Sequence, residues 1–105
     1  MNVIKRNGSE VVFDIEKIKR SLTKANNSID EEDRIDEDTI NFICNRVLTK
    51  CKKYNRAISV EEIQDHVEDA LIYLNKYDIA KHYIKYRYQR EVDRKKNTTD
   101  ARILS

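Results

Sequence analysis

Apolar side chains in this chain recur in two periods. Val3-Ile4 and Val11-Val12-Phe13 form two short runs that flank Asn7-Gly8, and Gly8 is the only glycine of the chain. Asn-Gly tolerates positive φ in a tight hairpin turn better than other dipeptides, so the segment predicts strand, turn, strand. From Ile15 the period becomes helical: Ile15, Ile18, Leu22 and Ala25 share one face, and Asp14 is placed to cap the N-terminus. Asn26-Asn27-Ser28 ends that helix. Residues 30–38 predict an acidic loop leading into a second helix, whose early carboxylates favour the positive end of its macrodipole. Its buried stripe is Ile40, Ile43, Val47, Leu48 and Cys51.

Residues 52–57 predict a connector, after which Ile58 is placed to add a short strand to the hairpin. Ser59-Val60-Glu61-Glu62 has the form of a capping box, with the serine accepting from the backbone three residues on and Glu62 reaching back. The third helix that starts there is apolar at Ile63, Val67, Ala70, Leu71 and Leu74. A final helix is predicted from about 77 to 95, with Ile79, Ala80, Tyr83, Ile84 and Tyr86 facing inward. There is no proline, so nothing breaks these helices internally. The fold class is α+β: a β-hairpin extended to a three-stranded cap over a four-helix cluster. One domain is expected over residues 1–95, with 96–105 as the start of a linker or tail.

At 105 residues, 39% hydrophobic and 38% charged, the chain has a thin core and the size of a regulatory or binding module rather than of a substrate-enclosing enzyme. Net charge is only +2, but the charges come in blocks. Residues 1–25 carry six cations against three anions, residues 30–38 seven acids against Arg34, and residues 46–56 five cations and no acid. Residues 61–69 then hold five acids without lysine or arginine, and residues 76–96 eight cations against three acids. Such alternation reads as helix faces that complement one another, and it argues against a uniformly basic nucleic-acid surface.

No apolar run approaches the roughly 20 residues that span a bilayer, and no signal-peptide pattern opens the chain, which predicts a cytoplasmic protein with no membrane partner. Cys44 and Cys51 fall on one helix face roughly 10 Å apart along the axis, too far for a disulfide, and read as small buried hydrophobes. With only His66 and His82 besides, no ligand cluster has zinc spacing, and no metal site is expected. Neither histidine has an evident catalytic partner, and no serine sits in an elbow motif, so no catalytic residue is assigned.

The cations suggest a different chemistry. Without a glycine-rich loop, phosphates must be met by side-chain charge. Lys5 and Arg6 leave the first strand beside the turn, Lys17 and Arg20 rise from the first helix, and Arg87 or Arg90 on the last helix can close the far side. Tyr73, Tyr77, Tyr83, Tyr86 and Tyr88 are interleaved with basic residues; they fit core packing with hydroxyls at the rim, or stacking against a base.

Three segments resemble a known family. Val3-Ile4-Lys5-Arg6-Asn7-Gly8 with Phe13-Asp14-Ile15-Glu16-Lys17-Ile18 is similar to the opening of the ATP-cone domain. Ile58-Ser59-Val60-Glu61-Glu62-Ile63-Gln64-Asp65 resembles its third-helix entry, and Ala80-Lys81-His82-Tyr83-Ile84-Lys85-Tyr86-Arg87 its last helix. The match runs over about residues 2–94. ATP-cones are allosteric modules of ribonucleotide reductases and form most of a bacterial repressor of reductase genes. The resemblance implies ATP or dATP bound beneath the β-cap, with magnesium as the usual companion of the phosphates, and a nucleotide-dependent change in oligomeric state. It implies that Val3, Lys5 and Arg6 line the nucleotide. Val11, Val12 and Phe13 would form the cap edge, with Asp14 near sugar or base and Lys17 on phosphates. The third-helix contact, often threonine in the family, falls at Val60, or at Ser59 if the register slips by one. Arg90 matches a basic residue of the last helix, with Arg87 as the neighbouring alternative. The closest style is that of an anaerobic ribonucleoside-triphosphate reductase, and the expectation is an excised domain or a free-standing cone. Its partners would be an adenine nucleotide, a second copy and the catalytic domain of a reductase. The rival readings are a small helical nucleic-acid-binding or transcriptional-regulator module, built on the basic last helix, and a pure oligomerisation module.

Overall fold

The computed structural model describes residues 1–96 in full and the backbone of the last helix as far as Leu104. The chain opens with β1 (Asn2–Ile4) and β2 (Glu10–Val12), antiparallel with Val3 opposite Val11. Gly8 alone takes positive φ in the turn, at +87°. Asn7 contributes differently from the expected pair of positive-φ residues: its Oδ1 accepts from the Ser9 amide at 3.0 Å and the Ser9 hydroxyl at 2.7 Å. The turn is closed by the Gly8 amide donating to the Lys5 carbonyl, a four-residue turn whose last residue is left-handed.

Four helices follow: α1 (Ile15–Asn27), α2 (Glu37–Cys51), α3 (Val60–Tyr73) and α4 (Tyr77–Leu104), with a 3-10 turn at Glu31–Asp33 inside the acidic loop. Between α2 and α3, β3 (Ile58–Ser59) pairs in parallel with β1, so the sheet order is β2, β1, β3. The capping box forms as expected: the Glu62 amide donates to Ser59 Oγ and the Ser59 amide to Glu62 Oε1, each at 3.1 Å. Asn75, at φ +59°, ends α3 in the left-handed conformation, and the Lys76 amide donates back to the Leu71 carbonyl.

Helix α1 packs on α2 and α4, and α3 packs on the same two, closing a ring around one core. Leu22, Ile43, Val47, Ile58, Val67, Leu71 and Ile79 fill it, with Cys44 and Cys51 buried and unbridged. Buried Asn26 pins the loop after α1: its side-chain amide donates to the Ile35 carbonyl and its oxygen accepts from the Ile35 amide, both at 2.9 Å. Ile84, expected inside, is 46% exposed, because the inward stripe of α4 runs through Ile79, Ala80 and Tyr83. Helix α4 also runs past the expected end near 95. Of the segment 96–105 read as the start of a linker or tail, the backbone is helical as far as Leu104, and residue 105 lies outside the described residues.

Candidate functional site

The hairpin overhangs α1, α3 and α4 and encloses with them a cavity of about 670 Å³, within the range of small-molecule sites. Val3, Ile18, Ile63 and Tyr83, all buried, give it an apolar floor. Strand alternation explains the roof: Val3 and Val11, paired across the hairpin, point to the same side. Val12, Phe13 and Asp14 continue the lining into the start of α1. Asp14 is also the N-cap, with Oδ1 accepting from the Glu16 amide at 3.0 Å.

The walls are basic. Lys5 and Arg6 come from the turn, Lys17, Arg20 and Lys24 from one face of α1, and Arg90 and Arg94 from α4. That is seven cations, with Asp14 the only carboxylate among the lining residues. In a chain of net charge +2, this concentrates positive potential where field lines are focused by an apolar floor. Among the described residues, no carboxylate pairs with Lys5, Lys17, Arg20 or Lys24. Arg6 is engaged: Nη1 lies 2.6 Å from Glu61 Oε1 and Nη2 donates to Gln64 Oε1 at 3.4 Å. Arg90 sits by Tyr86, its Nη1 3.4 Å from the hydroxyl. Burial, then the like charges of Arg6 and Arg90, push the Arg94 guanidinium below its ordinary value.

The residues expected from sequence thus converge: Val3, Lys5, Arg6, Val11, Val12, Phe13, Asp14, Lys17, Val60 and Arg90 line this one cavity. Arg87 is not brought to it. Its guanidinium is taken by α3, with Nη1 on Asp65 Oδ1 at 3.1 Å and on Glu68, and Nε on Gln64 Oε1 at 3.0 Å. Burial opposes that charge, but Glu68 and Asp65 outweigh it and raise the Arg87 value. At the start of α3 it is Val60 that lines the cavity, while the Ser59 hydroxyl accepts from the Glu62 amide as the helix cap. Sequence reasoning gave no lining role to Ser21, Lys24, Gln64 and Arg94, and offered Tyr86 for core packing or for stacking against a base. The signal was present in the spacing: 17, 20, 21 and 24 share one face of α1, and 83, 86, 90 and 94 one face of α4.

Tyr83 lies at the back with a hydroxyl pushed up to about 12, chiefly by burial, while a hydrogen bond from Ser21 opposes the shift. It is therefore a neutral polar group in an apolar floor. A second cavity of about 460 Å³ is lined by Met1, Asn2, Glu10, Lys52, Tyr54, Arg56 and Ala57 and shares no residue with the first. Its Arg56 is already bonded to both oxygens of Glu62, at 2.9 and 2.7 Å, and Glu10 offsets Lys52, so it has no comparable pull on an anion. Asp30, Glu32 and Asp33 bring carboxylate oxygens within 4.8 Å of one another, but all three are exposed and outside both cavities. Among the described residues, no helix is long and apolar enough to cross a membrane.

A flat apolar floor ringed by seven cations suits a ligand with a hydrophobic ring system at one part and several phosphates at another. The sequence profile of the ATP cone domain matches residues 1–92. The chain is 32% identical over 98 residues to the ribonucleoside-diphosphate reductase subunit alpha of Chlamydia trachomatis, covering 86% of this chain and 9% of the relative. It is 31% identical over 101 residues to the anaerobic ribonucleoside-triphosphate reductase of Haemophilus influenzae (91% and 13%), and 37% identical over 98 residues to the vitamin B12-dependent ribonucleoside-diphosphate reductase of Thermoplasma acidophilum (88% and 12%). The chain spans about a tenth of the length of these relatives. With the profile covering the hairpin, all four helix starts and every cavity-lining residue but one, this chain belongs to the ATP cone domain family.

Proposed function

We propose that this chain is an allosteric regulatory domain that binds ATP or dATP and thereby controls the activity and oligomeric state of a ribonucleotide reductase. The observation that carries this is the gathering of the hairpin turn, α1 and α4, each with its cations, and of the apolar start of α3 around one cavity. On this reading the base lies against Val3, Val11, Phe13 and the floor of α3. Lys5, Arg6, Lys17 and Arg90 neutralise the phosphates from opposed sides, which a single row of charges does less well. Magnesium accompanies the phosphates on this reading, and Asp14 lies near the sugar or base. The domain regulates and does not itself catalyse; its partners are the reductase catalytic domain and a second copy, in the cytoplasm.

The finer assignment, to an anaerobic ribonucleoside-triphosphate reductase, is supported by the last-helix segment Tyr83-Ile84-Lys85-Tyr86-Arg87 and by the Haemophilus influenzae relative. Co-purification with a reductase catalytic chain of the anaerobic type supports it; capture of a different class overturns it.

The test of the main reading is calorimetric titration with ATP, dATP and GTP in magnesium, with sizing chromatography on the same samples. Adenine-selective binding and a nucleotide-dependent change in size are expected. A Lys5→Ala, Lys17→Ala double variant that stays folded is expected to lose binding, and unchanged affinity would refute the assigned site. Oligonucleotide binding that falls steeply with salt, without nucleotide binding, would favour a nucleic-acid module instead.

A further inference from the structure

We propose that the outward face of α4 is a pairing surface for a second copy of this chain, laid antiparallel across a two-fold axis near residue 87. This rests on the second-copy part of the function proposed above and names the surface for it; it does not depend on where the nucleotide lies. Tyr77, Ile84, Tyr88 and Val92 are four of the nine large apolar side chains that stay exposed among the described residues, Tyr88 by 68%. At about 100° per residue they form one stripe along the helix, while Ile79 and Tyr83 enter the core from its other side. Exposed apolar residues scattered singly need no partner; a stripe of them marks an interaction site.

The helix itself calls for a partner. From Tyr88 to Lys96 no residue of α4 is buried, and the helix runs on to Leu104. Helices take most of their stability from packing a face against a neighbour, and a stretch that packs on nothing is marginal in water. The charges select the partner. The loop after α1 comes against the start of α4, where Ser28 Oγ lies 3.3 Å from His82 Nδ1, so the exposed acids of residues 30–33 stand with Asp78 near that end. Lys95 and Lys96 stand at the other end of the stripe. An antiparallel two-fold turns the acidic end of each copy onto the basic end of the other, the self-complementarity that an isologous interface requires. In that register Asp78 comes level with Lys96 of the second copy, Lys81 comes beside its Glu91, and Ile84 seats between its Tyr88 and Val92. Parallel pairing would set acid on acid and base on base.

The experiment is sedimentation velocity on the full chain over a concentration series, with and without ATP, with folding checked by circular dichroism. Wild type is expected to pass from monomer to dimer as concentration rises. Tyr88→Glu, which sets two like charges beside the axis and leaves the core untouched, is expected to weaken the dimer roughly tenfold or more. Asp78→Lys and Lys96→Glu are each expected to weaken it several-fold at about 0.1 M salt. The chain carrying both is expected to recover, because each pair is then reversed in sign. A dimer indifferent to Tyr88→Glu, or a double variant no better than the single ones, overturns this surface and leaves the second-copy reading standing. A monomer at every concentration, with and without ATP, overturns both. An oligonucleotide that wild type binds and Tyr88→Glu releases, without any dimer, gives the face to another partner and overturns the proposal.

Discussion

Glu61→Gln is predicted to tighten ATP binding. Glu61 Oε1 lies 2.6 Å from Arg6 Nη1, and the two side chains keep 48% and 28% exposure. Water screens a pair exposed to that degree, and such pairs are worth about 0.2–1 kcal/mol. A phosphate that draws Arg6 into the cavity must first loosen this contact, so removing the carboxylate returns at most that energy to the ligand. The expected gain is about 1.4- to 5-fold in Kd. Glutamine preserves the length and shape of the side chain, so packing against the cap is kept. Calorimetry with ATP at 0.1 M and 1 M salt is the assay. The gain should shrink as the screening length falls from about 10 to about 3 Å. A folded variant whose low-salt affinity is unchanged or weaker would show that Arg6 does not meet the phosphates.

Two further predictions concern the scaffold. Asn26→Ala leaves the Ile35 amide and carbonyl buried without their partner; a loss of about 2–4 kcal/mol is expected in urea unfolding, and a loss under about 1 kcal/mol would contradict the account. Glu62 is lowered from the ordinary 4.5 to about 2, first by Arg56 and then by the Ser59 amide. The sign follows: the folded value is depressed, so its stabilisation is complete above about 4.5 and is lost as pH falls through about 2. Arg56→Gln should raise the Glu62 value and flatten acid destabilisation in that window. An ordinary Glu62 titration in wild type by NMR would contradict it.

Much of the fold was legible because local and tertiary demands agree. The capping box at Ser59, the single glycine at the turn and the α1 stripe of Ile18, Leu22 and Ala25 each read directly from spacing and are found in place. Ile84 misled because periodicity marks a stripe without saying how wide the neighbouring helices make it; α1 and α3 cover Tyr83 and leave Ile84 outside. The site was legible as a set of cations, not as a geometry. Arg87 and Arg90 are equivalent in sequence, one turn apart, and only the acids of α3 decide between them: Asp65 and Glu68 take Arg87, and Arg90 remains over the cavity. Arg94 was counted among the cations of residues 76–96 without being assigned to the site, since a helix that continues past its expected stop gives no local signal. Asn26 was taken for a helix terminator, and its second task, holding Ile35 across the loop, is a tertiary contact that no window of sequence contains.

How binding in this cavity can be felt elsewhere follows from who shares whom. Gln64 Oε1 accepts from Arg6 of the hairpin and from Arg87 of α4, so a phosphate that draws Arg6 away changes the bonding of the α3–α4 seam. One such hydrogen bond is worth about 0.5–1.5 kcal/mol, a factor of roughly 2 to 13 in a linked assembly equilibrium. Moving a two-state equilibrium from one extreme to the other takes about 5.5 kcal/mol, so this relay by itself is too weak to switch an assembly. The larger lever is the ligand: on the proposed reading its phosphates meet Arg6 of the hairpin and Arg90 of α4 and bridge the two elements. On the proposed reading, the nucleotide therefore acts on the distance between cap and last helix. A surface that responds to it must include residues of the hairpin or of α4, rather than the α2 face, which has no lining residue in the cavity.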